Sequence, residues 1–328
     1  VNAWCAFAAL AFTACRPYAD FTLPSVAGSL PVAWRWSARV SPVLERGGWD
    51  AHDVLNPSVL FHAGGWLNLY SGFDGRAWHT GLATSSDGIV WSKGGRVLSP
   101  DTSGWEGGYI AANGTALAWH DEVLYWYQAG PKGSTRIALA RSRDGRNWRK
   151  EPGPVLDYGP RGSWDERGLG DPYVIRASGY FYLYYLGQDR ARRQRLGVAR
   201  SRDGVRWEKL RANPVLEAGG YASFDENGVG EPAVWQSHTW YWMLYTGRDR
   251  AERRRMGLAR SRDGVAWERT SLVIAGSEPW NEAVVCDATV APEGDTVRVW
   301  FGGGRRPSPD ENLDGTIGYA TLHATLAR

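Results

Sequence analysis

The stretch WDERGLGDPYV at residues 164–174 has a near copy, FDENGVGEPAV, at residues 224–234. In each, an aromatic residue is followed seven positions later by a carboxylate and then a proline, giving Asp171-Pro172 and Glu231-Pro232. Counting seven positions from Trp49, Trp105 and Trp280 reaches Asn56, Ala112 and Asp287. The five anchors recur at intervals of 56, 59, 60 and 56 residues, each with an aliphatic residue at plus five (Val54, Ile110, Leu169, Val229, Val285). Equivalent positions in five repeats fall on one ring about an axis. A ring that concentrates three carboxylates packs poorly and suits acid–base chemistry.

The rest of each repeat keeps the same period. An aromatic run follows the ring position (WLNLYSG, VLYWYQAG, YFYLYYLG, WYWMLYTG, VRVWFGG), and a short apolar strand follows that. Four repeats close on S-x-D-G-x-x-W, ending at Trp91, Trp148, Trp207 and Trp267. Short alternating runs bounded by Gly, Asp and Pro read as strands and tight turns. Four such strands per repeat predict an all-β, five-bladed β-propeller with four-stranded blades. The fifth repeat lacks the closing motif, and LPVAWRWSARVSPVL near the start resembles it. Residues 31–38 are therefore expected to supply the outer strand of the last blade, which removes two open sheet edges.

The expected propeller spans residues 31–328. The nineteen tryptophans of the chain include eight at repeat positions, and those read as packing between sheets. Trp49 and Trp164, near the ring, are also candidate platforms for a sugar. A formal charge of +3 argues against a dedicated nucleic-acid partner. That charge is uneven, because QDRARRQRL (188–196) and GRDRAERRRM (247–256) each carry +3. Arg190 and Arg248 in these loops are candidate substrate contacts, since planar guanidinium groups suit phosphate or sugar carboxylates.

Residues 1–20 read as an export signal. The run Ala3–Ala14 is short for a membrane span and right for a signal core. Phe-Thr-Ala before Cys15 resembles a lipoprotein cleavage site, so the expected location is exported, with membrane attachment only through a lipid on Cys15. Cys286 then stands alone and reads as a small buried residue.

Asp171, Glu231 and Asp287 lie on consecutive repeats and are expected to be neighbours at the mouth of the axis. Like charges and partial desolvation raise the pKa of at least one of them. A protonated carboxyl beside an ionised one is what glycosidic cleavage needs. No metal or other cofactor is required by this reading, although the ring offers room for an axial cation.

Residues 42–322 resemble the five-bladed propeller glycosidases, glycoside hydrolase families 43, 32 and 130. The resemblance rests on W-D-x-x-x-V-x-x-P, the aromatic run ending in Y-x-G, and the S-x-D-G-x-x-W turn. It implies that Glu231 is the general acid and that Asp171 orients substrate and tunes that acid. Where those families place the first-blade Asp-Pro, this chain has Asn56-Pro57, and Asn takes no proton from water. Asp53 or Asp50 from the same loop, or Asp287, is then expected to fill the third role, with Asn56 and Asp50 also touching substrate. The resemblance to family 130 implies a second route, in which phosphate is the nucleophile and one carboxyl suffices. The expected partner is an oligosaccharide or polysaccharide, with phosphate in that second route. A carbohydrate-binding propeller without catalysis is the remaining alternative, and the S-x-D-G-x-x-W turn is also similar to the Asp-box of sialidases.

Overall fold

The structure, a computed structural model, describes residues 17–27 and 32–326; the proposed signal core and Cys15 lie outside the described residues. It is all-β, with a single 3-10 turn at Gly48–Asp50 and no α-helix among the described residues. None of those residues forms a helix long and apolar enough to cross a membrane.

Each sequence repeat folds as an antiparallel meander. In the third repeat, Gly168–Ala177 pairs with Tyr180–Gln188, then Gln194–Ser201, then Glu208–Leu210. The fourth repeat has the same order over Gly228–Ser237, Trp240–Arg248, Arg254–Ser261 and Glu268–Ile274. In the fifth, Val284–Glu293, Thr296–Gly304 and Thr316–Leu326 are followed by a strand from the other end of the chain. Val32–Ala38 pairs antiparallel with Thr316–Leu326, from Val32 opposite Leu326 to Ala38 opposite Ala320. Residues 17–27 lie ahead of that strand. Tyr18–Ala19 runs parallel to Lys209–Leu210, and Leu23 is buried where Gly264 leaves room beside Tyr184.

The core lies between successive repeats. Leu124, Trp126 and Ile137 of the second repeat pack on Leu169, Val174 and Leu183 of the third. Val54 and Tyr70 of the first repeat pack on Trp300 and Ile317 of the fifth, so the interfaces run in a cycle.

The turn motif explains part of the cohesion. The Asp203 carboxylate accepts the Val205 and Arg206 N–H groups, while Ser201 Oγ accepts those of Asp203 and Gly204. Gly204, at φ 74°, turns its carbonyl toward the Trp126 indole of the preceding repeat, which donates at 2.8 Å. Trp300 makes the same bond to Gly88, joining the fifth repeat to the first.

A second recurring unit sits beneath each anchor. Asp50, Glu106, Asp165 and Asp225 follow the anchors and meet Tyr70, Tyr127, Tyr185 and Tyr245. A cation from the outer strand completes each group, namely Lys93, Lys150, Lys209 and Arg269. The fifth repeat departs from this, with Asn281 after Trp280 and Phe301 in place of the tyrosine.

Candidate active site

The inner strands break their register at one place in each repeat. The residue there adopts a left-handed backbone: Asn56 (φ 48°), Asn113 (51°), Asp171 (50°), Glu231 (52°) and Asp287 (55°). Bulges at Gly170/Tyr173, Gly230/Ala233 and Cys286/Thr289 coincide with the three carboxylates. A bulge re-aims one side chain out of the alternation, and non-glycine residues at positive φ are strained. Here the re-aimed groups converge.

One ring position is corrected. In the second repeat the bulge falls between Ala112 and Gly114, so the ring residue is Asn113 and not Ala112. The loop after Trp105 carries one extra residue, which shifts any count made from the tryptophan. Counting back fourteen from the second-strand aromatic residue (Tyr70, Tyr127, Tyr185, Tyr245, Phe301) finds all five.

The ring is a chain of hydrogen bonds. Asn113 Nδ2 donates to Asp171 Oδ1 at 2.6 Å, and the Glu231 N–H donates to Asp171 Oδ2 at 3.1 Å. The Asp287 N–H donates to Glu231 Oε2 at 3.2 Å. Glu231 and Asp287 thus each turn their N–H to the carboxylate before them. Gly230 makes the first approach feasible, because a Cβ there would lie 2.8 Å from Asp171 Oδ2. Arg254 is buried, with Nη1 3.6 Å from Glu231 Oε1 and Nη2 donating to the Ser308 and Pro309 carbonyls.

Burial, and then the neighbouring Glu231, push Asp171 up to about 7. The same two causes hold Asp287 well above the carboxylate range. Asp287 Oδ1 is buried without a partner, and Oδ2 lies 3.0 Å from the Cys286 thiol, which burial keeps protonated. Near neutral pH the ring therefore retains protons beside a half-buried glutamate that faces a guanidinium. Such an arrangement can deliver a proton to a leaving oxygen and hold a compensating charge beside it.

The ring forms the floor of a cavity of about 410 Å³. Asn56, Asn113, Asp171, Glu231 and Asp287 all line it, together with Gln128 and Arg254. A second, small pocket of about 30 Å³ shares the five ring residues and is lined also by Pro57, Pro172 and Pro232. Oxygens of Glu231 and Asp287 and the Cys286 sulfur lie within 4.8 Å of one another, forming a donor group for a cation among the described residues.

Other expected site residues lie elsewhere. Asp50 is fully buried with Lys93 Nζ on both oxygens (2.7 and 2.8 Å) and the Tyr70 hydroxyl at 2.7 Å. Asp53 is fully buried too, and its oxygens accept the Asn312 and Gly315 N–H groups at 2.6 and 2.8 Å. Trp49 lies against Gly72, and Trp164 against Gly187 and Gly197, where any Cβ would collide with the rings. Neither indole lines the axial cavity. Arg190 and Arg248 do line it, the first paired with Glu166 and the second with Glu252.

A family model, the N-terminal domain of glycosyl hydrolases family 32, matches residues 66–221. A solved glycoside hydrolase superposes with a TM-score of 0.69 at 18% identity, over 92% of each chain. The fold is that of the propeller glycosidases. Structures with this fold include a β-1,2-mannobiose phosphorylase from Listeria innocua, at a TM-score of 0.65 and 15% identity, covering 83% of this chain and 89% of that one. An uncharacterised protein of Mycobacterium tuberculosis is 25% identical over 234 residues, 65% of this chain and 75% of its own length. The propeller-glycosidase fold thus occurs in both hydrolases and phosphorylases.

Proposed function

We propose that this protein cleaves glycosidic bonds of plant or microbial oligosaccharides by carboxylate acid–base catalysis. The observation that carries the reading is the hydrogen-bonded run Asn113–Asp171–Glu231–Asp287 at the floor of an open cavity. Glu231 protonates the leaving oxygen. Asp171, fixed by Asn113 and the Glu231 N–H, tunes it and orients the sugar. The third role falls to Asp287, supported by its free, buried Oδ1 and by the engagement of Asp50 and Asp53 with other partners. Asn56 contributes a binding amide at the ring.

The reading includes a five-bladed propeller of four-stranded blades, with Val32–Ala38 closing the last; the pairing of that strand with Thr316–Leu326 supports it. It includes no metal, and the donor group at Glu231 and Asp287 is where an axial cation would sit. Residues 1–20 are assigned to export with a lipid on Cys15, with Tyr18–Ala19 remaining in the mature chain as the strand on Lys209–Leu210, and residues 31–328 to the catalytic domain.

A second reading, phosphorolysis, is favoured by one feature. Asn56 occupies the ring position where a base is expected, while Arg190, Arg192, Arg248 and Arg254 line the same cavity. The test is sugar release from arabinosides, xylosides, fructosides and mannosides, with and without phosphate. Glu231→Gln is expected to lower turnover by about 10²–10⁴-fold. Dependence on phosphate selects phosphorolysis, and sugar binding without turnover in either protein selects a binding module instead.

A further inference from the structure

The third and fourth repeats contain the same loop twice, with Gln188, Arg192 and Gln194 in the one against Arg248, Glu252 and Arg254 in the other, and Arg167 against Asn227 just upstream. Asp189 and Asp249 open the loops, and each caps its turn by accepting the N–H of Arg193 or Arg253, at 3.1 and 3.0 Å. Arg190 reaches back to Glu166 at 3.2 Å, just as Arg250 reaches Glu226 at 3.3 Å. In the fourth repeat the remaining pair is Asn227 and Glu252. The Asn227 amide donates to Glu252 at 3.3 Å, and Glu252 also holds Arg248. Their counterparts in the third repeat are Arg167 and Arg192.

Two guanidinium groups thus stand where the sister repeat makes a complementary contact. Both are exposed, and both line the axial cavity, which Asn227 and Glu252 do not. No carboxylate pairs with either among the described residues. Glu166 is engaged by Arg190, and Asp189 by Arg193 and Arg195. Like charges at such a juncture repel unless an anion lies between them. Arg167 precedes the inner strand and lies four residues before the bulged Asp171, within about 13 Å of it along the chain. An anion held there therefore sits outside the bond cleaved at the ring.

We propose that Arg167 and Arg192 form a subsite for the carboxylate of a uronic acid, so that the preferred substrate is an acidic oligosaccharide. This deepens the glycosidase reading and rests on it for the word substrate. A guanidinium–carboxylate contact discriminates by planar, charge-assisted hydrogen bonds and by long-range attraction that salt weakens.

The test is binding and needs no turnover. Oligogalacturonides and glucuronoxylo-oligosaccharides are titrated, each beside its carboxyl-reduced form, into the Glu231→Gln protein by calorimetry. At least one acidic form is expected to bind about tenfold tighter than its reduced counterpart. That preference should be lost when the fourth repeat's residues are transplanted as Arg167→Asn with Arg192→Glu, a change copied from a pair this chain already folds with. Equal affinity for acidic and reduced forms, or no binding of either, overturns the proposal. So does a preference that survives the transplant. Inorganic phosphate is titrated alone in both backgrounds; if it binds at this site and abolishes the preference at millimolar levels, the site is a phosphate site and the uronate assignment fails. Failure of the glycosidase reading shows separately, as absent turnover on every neutral and acidic sugar by the protein with Glu231 intact.

Discussion

Asp171 combines two demands that oppose each other. Its left-handed backbone and its nearness to Glu231 both cost stability, yet its carboxylate is gripped by Asn113 and by the Glu231 N–H. Burial and Glu231 raise its pKa from 3.8 to about 7, so the folded state holds a proton that the unfolded chain has released across that interval. Stability therefore falls as pH rises from about 4 to about 7. Asp171→Asn removes this titration and gives up one accepting oxygen, so it is expected to be more stable than the parent at pH 8 by about 1–3 kcal/mol. The gap should close, and slightly reverse, near pH 4. Urea unfolding at the two pH values checks it, and a gap independent of pH would contradict the assignment. Glu231 and Asp287 were legible in the sequence because their Gly-Glu-Pro and Cys-Asp contexts keep the seven-residue spacing from the aromatic anchors Phe224 and Trp280. Asn113 was not, because an insertion in the preceding loop moves the anchor and leaves the hairpin register intact. Hydrogen-bonded register preserves spacing more strictly than a loop does.

At the scale of the element, the recurring acid–tyrosine–cation group decides how each meander is held at its outer strand. The chain contains 34 Arg and only four Lys, and three of those lysines (Lys93, Lys150, Lys209) occupy this one place. Lys209 and Asp165 are both buried and lie 2.5 Å apart, with the Tyr185 hydroxyl on the same carboxylate. The Lys209 ammonium is closed off from solvent, whereas Arg269, which fills the same place in the fourth repeat, is partly exposed. Lys209→Met strands a buried charge and is expected to cost about 3–5 kcal/mol. Adding Asp165→Asn should restore a large part of that loss, and denaturant unfolding of the two variants measures both. An equal loss in the double variant would mean that the lysine acts by packing alone. The sequence showed the acids as the residues after each anchor, but nothing in their spacing tied them to lysines more than 40 positions away. In the sequence, Asp50 is a candidate for chemistry because it shares a loop with Asn56, which stands where a first-blade aspartate is expected. Its partners appear only once the outer strand folds back.

On the scale of the whole molecule, the repeat period in the sequence carried the architecture further than it carried the site. The meanders, the interfaces between successive repeats and the late strand at Val32–Ala38 all follow from patterning and turn chemistry. The strap at residues 17–27 did not follow, because Tyr18–Ala19 and Leu23 belong to no repeat and are placed by a free sheet edge and a gap over Gly264. The late strand has a further consequence. Val32 lies opposite Leu326 in an antiparallel pair, so a two-residue turn would join them as an ordinary hairpin. The linear order of the repeats is then a convention of the gene. A circular permutant opened between Ser178 and Gly179, with residue 326 linked to residue 32, should fold to the same ring with the strap omitted. It is expected to melt lower than the parent for want of Leu23. It should still show turnover sensitive to Glu231→Gln, although its chain begins in the third repeat and meets Asp171 last among the three carboxylates.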